Sequence, residues 1–565
     1  MSSVSSAPTP PQRLFRLLRP ERPDILVILL ISIFNGVLLL ATPLAVDTLV
    51  NNIAFGGQDR VYLQALLVLS FALFTFLALL AVMRSAQHYV MEIIQRRLFV
   101  RVSADLAYRL PHLEAGALDR AVGPELVNRF FEVITIQKAG ALLLLEGVNL
   151  VLSTLIGLVV LAFYHPFLLA FDLVLIAALV VVVFALGRNA VRTSVRESYA
   201  KHAVAGWLEQ IALFPLSFKT PGGSDFACGR ADELVLDYVA ARRAHFRILL
   251  RQIAGLLGLQ ALASASLLTV GGALVLRGEL TLGQLVAAEL IVGAIVSSVA
   301  KFGKHLEAWY DALAAVDKLG TLVDLPIERE SGECPVVTAA PAEVVGESIR
   351  FGYDSARPLF EGLSFRIPAG ARVAVVGAAG YGASTLLDLL YGLRQIDAGR
   401  LQIDQLDLRQ WSPSALRQHV ALVRGHEIVE GTIAENIRMG RQGISVQDLD
   451  RALTGVGLHS ALIGLPEGID TPLRFGGRPL SSSQRTQLML ARAIVGRPRL
   501  LLIDEALDGL DVATLAGLEE LLFDRAQAWT LVLATRDPEL IHRCDQVLSL
   551  GHGPQHQPHG LHAAS

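Results

Sequence analysis

Hydrophobic and polar positions divide the chain into two unlike halves. Before residue 319, six long apolar runs stand out, at about 24–46, 61–83, 139–163, 166–187, 252–276 and 280–300. Each reaches the roughly 20 residues that a helix needs to cross a bilayer. Their spacing is uneven. Runs one and two, three and four, and five and six are joined by short segments, whereas two to three and four to five are joined by long polar stretches. Those long stretches, Tyr89 to Tyr108 and Val195 to Phe214, mix charged and apolar residues, with Gly206 the one weak breaker. They predict helices that continue beyond the apolar layer. After residue 343 the pattern changes to strand-like apolar runs alternating with amphipathic helices, the pattern of an α/β domain.

Charge orients the first half. Arg13, Arg16, Arg19 and Arg22 precede run one; Arg84, Arg96, Arg97, Arg101 and Arg109 follow run two. Arg188, Arg192 and Arg196 follow run four, and Arg242, Arg243, Arg247 and Arg251 precede run five. The short connections hold few basic residues, so the positive-inside rule places both termini and both long connections in the cytoplasm of a plasma or inner-membrane protein. The expected order is a cytoplasmic segment at 1–23, a six-span domain at 24–318, a linker at 319–342 and an α/β domain at 343–550. A disordered His-rich tail follows at 551–565. The apolar run after Asp24 is too long for the h-region of a signal peptide. Asp172, Glu146 and Glu289 are ionisable within the runs. Asp172 reads as a residue near the outer interface, and Glu146 and Glu289 as either polar helix contacts or part of a cargo path.

Composition adds limits. The chain is 53% hydrophobic with mean hydropathy +0.49, which excludes an ordinary soluble protein. A net charge of −3 gives no sign of a nucleic-acid partner. Cys228, Cys334 and Cys544 have neither metal nor disulfide spacing and fit a reducing compartment.

The chemistry lies in the second half. Val373 to Val376 is an apolar strand, and Gly377-Ala378-Ala379-Gly380-Tyr381-Gly382-Ala383-Ser384-Thr385 is a glycine-rich loop opening a helix. That is the layout of a P-loop, whose backbone N–H groups cradle phosphates, with Ala383 where the motif has Lys. Leu500 to Ile503 is a second apolar strand ending in Asp504 and Glu505. Asp504 and the Ser384 hydroxyl would hold Mg²⁺, and Glu505 would orient or deprotonate the attacking water.

With Leu480-Ser481-Ser482-Ser483-Gln484 upstream of that strand, the chain resembles an ABC transporter of the exporter type, a half-transporter with six spans and one nucleotide-binding domain. The resemblance runs from about Asp24 to Leu550. It implies ATP and Mg²⁺ as cofactors, a membrane lipid environment, a second half-transporter as partner and, in a bacterium, a periplasmic adaptor as a further partner. It also implies an adenine-stacking aromatic at Tyr353, a Q-loop position at Arg424 or Gly425, and a signature helix at Leu480 to Gln484 with two glycines replaced by Ser482 and Ser483. The D-loop matches Asp508 to Asp511, and the switch-histidine position falls on Arg536.

Several chemical residues of the motif are thus replaced, while Ser384, Thr385, Asp504, Glu505, Ser481, Gln484 and Asp511 stand. Loss of the P-loop lysine removes a charged hydrogen bond worth about 1.5–3 kcal/mol. The site on this chain's own P-loop is expected to turn over ATP very slowly or not at all. Arg424 and Arg536 admit three readings: they restore positive charge and hold ATP, they pair with Asp504 and Glu505 and close the site, or they reflect drift in a dead site. A degenerate member of a heterodimer is the expected function. A pseudo-ATPase scaffold or nucleotide sensor is its rival, and a working homodimeric ATPase ranks last. The residues do not specify a substrate.

Overall fold

The computed structural model describes residues 8–55, 60–119, 128–164, 166–335, 339–354, 357–378, 380–551 and 562–563. Two compact units emerge, one of residues 1–112 and 118–325, the other of 113–117 and 326–565.

The first unit is helical. Its helices are α1 (Pro10–Leu18), α2 (Arg22–Leu39), α3 (Ala41–Phe55), α4 (Arg60–Arg109), α5 (Glu132–Ala141), α6 (Val148–Tyr164), α7 (Pro166–Phe184), α8 (Ala190–Leu213), α9 (Gly223–Leu276) and α10 (Leu282–Val323). Among the described residues, four stretches are long and apolar enough to cross a membrane: Pro10–Asn51, Gln64–His112, Arg129–Phe163 and Gly223–Leu276. Leu173–Phe184 and Leu282–Gly293 are shorter apolar pieces of the fourth and sixth expected runs. Only 6% of the apolar window in Gln64–His112 is buried, so its leucines and phenylalanines face outward, as they do against lipid rather than water.

Helical continuation of the runs holds for α4, which is unbroken to Arg109, and for α9. It fails after run four. The helix stops at Phe184, and α8 starts afresh behind Asn189, whose φ of 70° is left-handed. Gly187 occupies this break, where an added Cβ would lie 2.3 Å from Gln252 Nε2 and 2.4 Å from the Val183 carbonyl oxygen. Close approach of α9 therefore requires glycine there. The sixth-run helix continues to Val323, and the unit boundary falls between Leu325 and Pro326, later than the expected linker start at 319. Leu319 and Leu322 are buried, and that packing keeps the segment helical.

Within this unit a buried polar cluster is tied together by hydrogen bonds. Gln87 is 1% exposed; its carbonyl accepts from Asn35 at 2.9 Å and Asn149 at 3.1 Å, and its amide donates to Ser32 Oγ at 2.7 Å. Glu146 lies in a π-helical turn, Leu142–Gly147, with a carboxylate oxygen 3.8 Å from His305 Nε2. Glu289 is exposed, and the side chain of Asp172 lies outside the described residues.

The second unit is α/β. A parallel sheet is ordered β8-β3-β7-β6-β5, from Gln546–Leu550, Arg372–Gly377, Thr530–Ala534, Leu500–Asp504 and Val420–Arg424. His562–Ala563, the described part of the expected tail, pairs antiparallel with β8. An antiparallel sheet places β1 (Val344–Phe351) between β2 (Phe360–Ile367) and β4 (Ala398–Ile403). The parallel strands are covered on both faces, which accounts for their continuous apolar runs. Leu501 and Ile503 enter one core, with Val423 and Leu533; Leu500 and Leu502 enter the other, with Val373, Val375 and Val532. The second core also takes Leu386, Leu387, Leu389 and Leu390 of helix α11 (Ala383–Leu390). The period of two therefore decides which strand residues face the phosphate-loop helix.

Candidate nucleotide site

The site lies beyond the C-terminal ends of the parallel strands, where open α/β sheets place their ligands. β3 ends at Gly377 and hands over to the glycine loop; Ala379 lies outside the described residues. Gly380 has a φ of 88° and Gly382 a φ of 93°, both in the left-handed region that glycine adopts without strain. A Cβ on Gly382 would also lie 2.8 Å from Leu359 and Phe360. Gly382 is the N-cap of α11, so Ala383, Ser384 and Thr385 lie in the first turn, where backbone N–H groups lack intrahelical acceptors. Tyr381 N–H turns back to the Ala378 carbonyl at 3.1 Å. This loop fits a phosphate chain.

The metal position is different. β5 and β6 pair in register with Arg424 opposite Asp504. Both residues have the parity of Leu500 and Leu502, so both point to the α11 side of the sheet. Arg424 Nε donates to Asp504 Oδ2 at 2.5 Å, Nη1 donates to Asp388 Oδ1 at 2.8 Å, and Nη2 donates to the Ser384 carbonyl at 2.9 Å. The other Asp504 oxygen, Oδ1, accepts from Ser384 Oγ at 3.0 Å. Asp388 is 7% exposed and Asp504 6%, so the guanidinium compensates two buried carboxylates. Burial works against the Arg424 charge, but hydrogen bonds and charge from Asp388 and Asp504 outweigh it and raise the guanidinium pKa.

Magnesium needs near-octahedral oxygen ligands at about 2.0–2.1 Å. The two residues expected to supply them, Ser384 and Asp504, are bonded to each other, and Asp504 and the Ser384 backbone both bind Arg424. The residues in this arrangement do not fit the ion. Of the two alternatives for the Q-loop position, Arg424 is the residue that reaches the site.

Glu505 has a φ of 50°, a strained conformation for a residue with a Cβ, and its N–H donates to the Ala534 carbonyl at 2.9 Å. Its carboxylate accepts from Arg536 Nη2 at 3.2 Å in an exposed pair. Both arginines thus contact the two acids, the arrangement of the closing alternative. Tyr353 packs edge-on to Phe351, its hydroxyl lies 2.9 Å from Thr385 Oγ1, and the Arg394 guanidinium carbon sits 4.6 Å from its ring centroid. The hydroxyl of the aromatic proposed for adenine is therefore tied to the phosphate-loop helix, and a cation covers one face of its ring while the residue stays exposed.

Ser481 caps helix α12 (Ser482–Ile494) in a capping box with Gln484, the serine hydroxyl accepting from Gln484 N–H at 3.3 Å. Ser483 Oγ donates to Asp511 Oδ2 at 3.0 Å, and Asp511 caps helix α13 (Val512–Phe523) through Thr514 N–H. The Thr514 bond, followed by that from Ser483, holds the Asp511 pKa below the ordinary carboxylate value. The replacement serine Ser483 thus ties the signature helix to the D-loop.

Two members of the site escape a motif search, Asp388 and Arg394. Asp388 carried a signal: it is a lone acid among Leu386, Leu387, Leu389 and Leu390 in a short buried helix, and a buried acid requires a cation.

Residues 360–508 match the family model described as ABC transporter. The whole chain superposes on the solved structure of a bacterial Atm1-family ABC exporter with ATP bound, with a TM-score of 0.77 over 94% of this chain and 93% of that one, at 23% identity. Residues 360–508 are thus an ABC transporter domain, and the chain as a whole has the fold of an exporter-type half-transporter. Among curated relatives it is 28% identical over 289 residues to an uncharacterised ABC transporter ATP-binding protein, YfiC, of Bacillus subtilis, covering 50% of this chain and 47% of that protein. It is 31% identical over 240 residues to an ATM1-type heavy metal exporter of Novosphingobium aromaticivorans, covering 42% and 40%. The matched stretch spans about half the length of these relatives. Helices long and apolar enough to cross a membrane are therefore followed by a domain of the ABC transporter type.

Proposed function

We propose that this half-transporter is the degenerate subunit of an ATP-driven exporter dimer. It lies in the plasma or inner membrane with both termini and the nucleotide-binding domain in the cytoplasm. Its own phosphate-loop site does not turn ATP over. Turnover occurs at the other site of the dimer, where a partner with an intact lysine meets this chain's Ser481 helix. The observation that carries this reading is the Arg424 bridge to Asp504, Asp388 and the Ser384 carbonyl, which engages the acid a catalytic metal would need. The Ala383 position reinforces it, since no lysine stands there to meet the β- and γ-phosphates. The Ser481 capping box supports the second half of the reading: the α12 N-terminus presents the positive end of its dipole despite the lost glycines.

The test is ATP hydrolysis by the purified chain, alone and reconstituted with an intact half-transporter. The reading requires turnover only in the mixture, and Ser482→Gly/Ser483→Gly in this chain should raise the mixed rate. A mixture no faster than the partner alone would contradict it.

A second reading has its own observation. Glu505 is held by Arg536, so its retention has a structural reason and does not by itself argue for catalysis. On this reading the chain is a pseudo-ATPase scaffold or nucleotide-sensing subunit. Solute transport by the reconstituted pair that depends on this chain's Ser481 separates the first reading from the second.

A further inference from the structure

We infer that the chain's own nucleotide site takes ATP without magnesium, with the Arg424 guanidinium supplying the positive charge that the ion supplies elsewhere. The inference rests on the reading of this site as non-catalytic and goes beyond it, because it assigns the site a ligand: the metal-free nucleoside triphosphate.

The argument begins with charge. A triphosphate approaching a P-loop meets the Walker acid, here Asp504. In an ordinary site that repulsion is offset by Mg²⁺ and the loop lysine together. This chain has Ala383 in place of the lysine, and both oxygens of Asp504 are already engaged, Oδ1 by the Ser384 hydroxyl and Oδ2 by Arg424 Nε. Asp504 and Asp388 are matched by Arg424 and Arg394 before any ligand arrives, so the acids add no net repulsion and an anion need bring no cation to offset them.

Position comes next. Arg424 is not a loose surface arm. It ends β5 directly opposite Asp504 at the end of β6, and Asp388 and the Ser384 carbonyl fix its two terminal nitrogens. For magnesium to displace it, the guanidinium would have to give up three hydrogen bonds together, and the nearly buried Asp388 would be left with Arg394 alone. Each terminal guanidinium nitrogen carries two N–H groups, and the Arg424 side chain is 36% exposed, leaving part of the fork open to an oxyanion.

The cradle is intact. The left-handed Gly380 and Gly382 and the first turn of α11 present the backbone N–H groups that bind phosphate without a metal. Open space surrounds the Cβ direction of Gly380, so no side chain crowds the loop there.

The test is calorimetric titration of the purified full-length chain with ATP, once with magnesium and once with EDTA, with hydrolysis followed in parallel. The inference expects the same affinity in both conditions. Arg424→Gln should lower affinity in EDTA by roughly tenfold to a hundredfold, the value of one charged hydrogen bond, and magnesium should then restore it. Tighter wild-type binding in magnesium without hydrolysis would overturn the inference and leave the non-catalytic reading standing. Absence of ATP binding in both conditions would also overturn it. Magnesium-dependent hydrolysis by the chain alone would overturn both. The wild-type comparison needs no variant, so a poorly folding Arg424→Gln protein does not remove the test.

Discussion

Arg424 Nε and Asp504 Oδ2 lie 2.5 Å apart at the paired ends of two neighbouring parallel strands. Arg424 thus makes Asp504, the acid expected to hold a metal, half of an ion pair. The second half of the clamp is Asp388, the buried acid on the phosphate-loop helix. These contacts give Asp504 and Ser384 structural work of their own, independent of a metal.

Removing the clamp should destabilise the domain. Arg424→Gln leaves Asp504 without its cation and Asp388 with Arg394 alone, at a cost of about 1–3 kcal/mol, the penalty for an uncompensated buried polar group. The nucleotide-binding domain should melt at a lower temperature than wild type, and magnesium should recover part of the loss in the variant alone. Thermal unfolding of both proteins with magnesium or EDTA checks this; equal melting temperatures in EDTA would count against the clamp.

Restoring the lysine should not restore the enzyme. Ala383→Lys with Arg536→His rebuilds two family positions but leaves Asp504 paired with Arg424. That double variant should remain at background ATP turnover, and adding Arg424→Gln should bring magnesium-dependent activity. Turnover in the double variant would show that Arg424 yields readily to the metal.

The two halves of the chain were legible to different depths. Apolar run lengths located the long apolar helices, and the unbroken apolar run Leu500 to Ile503 located a strand covered on both sides. The break at Ala185 to Asn189 was hidden, because Gly187 is required there by Gln252, a partner 65 residues away in sequence. At the site, motif spacing found Arg424, Asp504, Glu505 and Arg536, but spacing cannot say what a substituted side chain contacts. Strand register and side-chain parity supplied that. Asp388 carried a readable signal, and Arg394 carried none, since its role depends on the turn that returns it over Tyr353.

Tyr353 gives a separate handle on nucleotide binding. Its ring is held by Phe351, its hydroxyl by Thr385, and Arg394 covers one face. Tyr353→Ala should weaken ATP binding by about 1–3 kcal/mol, the usual value of an aromatic–base stack. Tyr353→Phe, which keeps the ring, should bind within about twofold of wild type, well under the 1.4 kcal/mol of a tenfold change. Titration of both variants decides; equal losses would place the contribution in the hydroxyl instead.

The thiols report on the fold of the domain. Cys544 is 3% exposed, and burial pushes its pKa up to about 12. Cys228 and Cys334 are exposed. Since the thiolate is the reactive form, maleimide at mildly alkaline pH should label the two exposed cysteines quickly and Cys544 only on unfolding. Mass spectrometry of the labelled chain reads this directly, and rapid labelling of Cys544 in the native protein would contradict the packing of β8.

The most direct test is steady-state ATP hydrolysis by the full-length chain purified without a partner. A competent site gives turnover on the order of 1–10³ s⁻¹ in a typical enzyme. The account predicts a rate indistinguishable from that of a Glu505→Gln variant prepared in parallel, with and without magnesium. Magnesium-dependent hydrolysis by the wild-type chain that Glu505→Gln abolishes would contradict it.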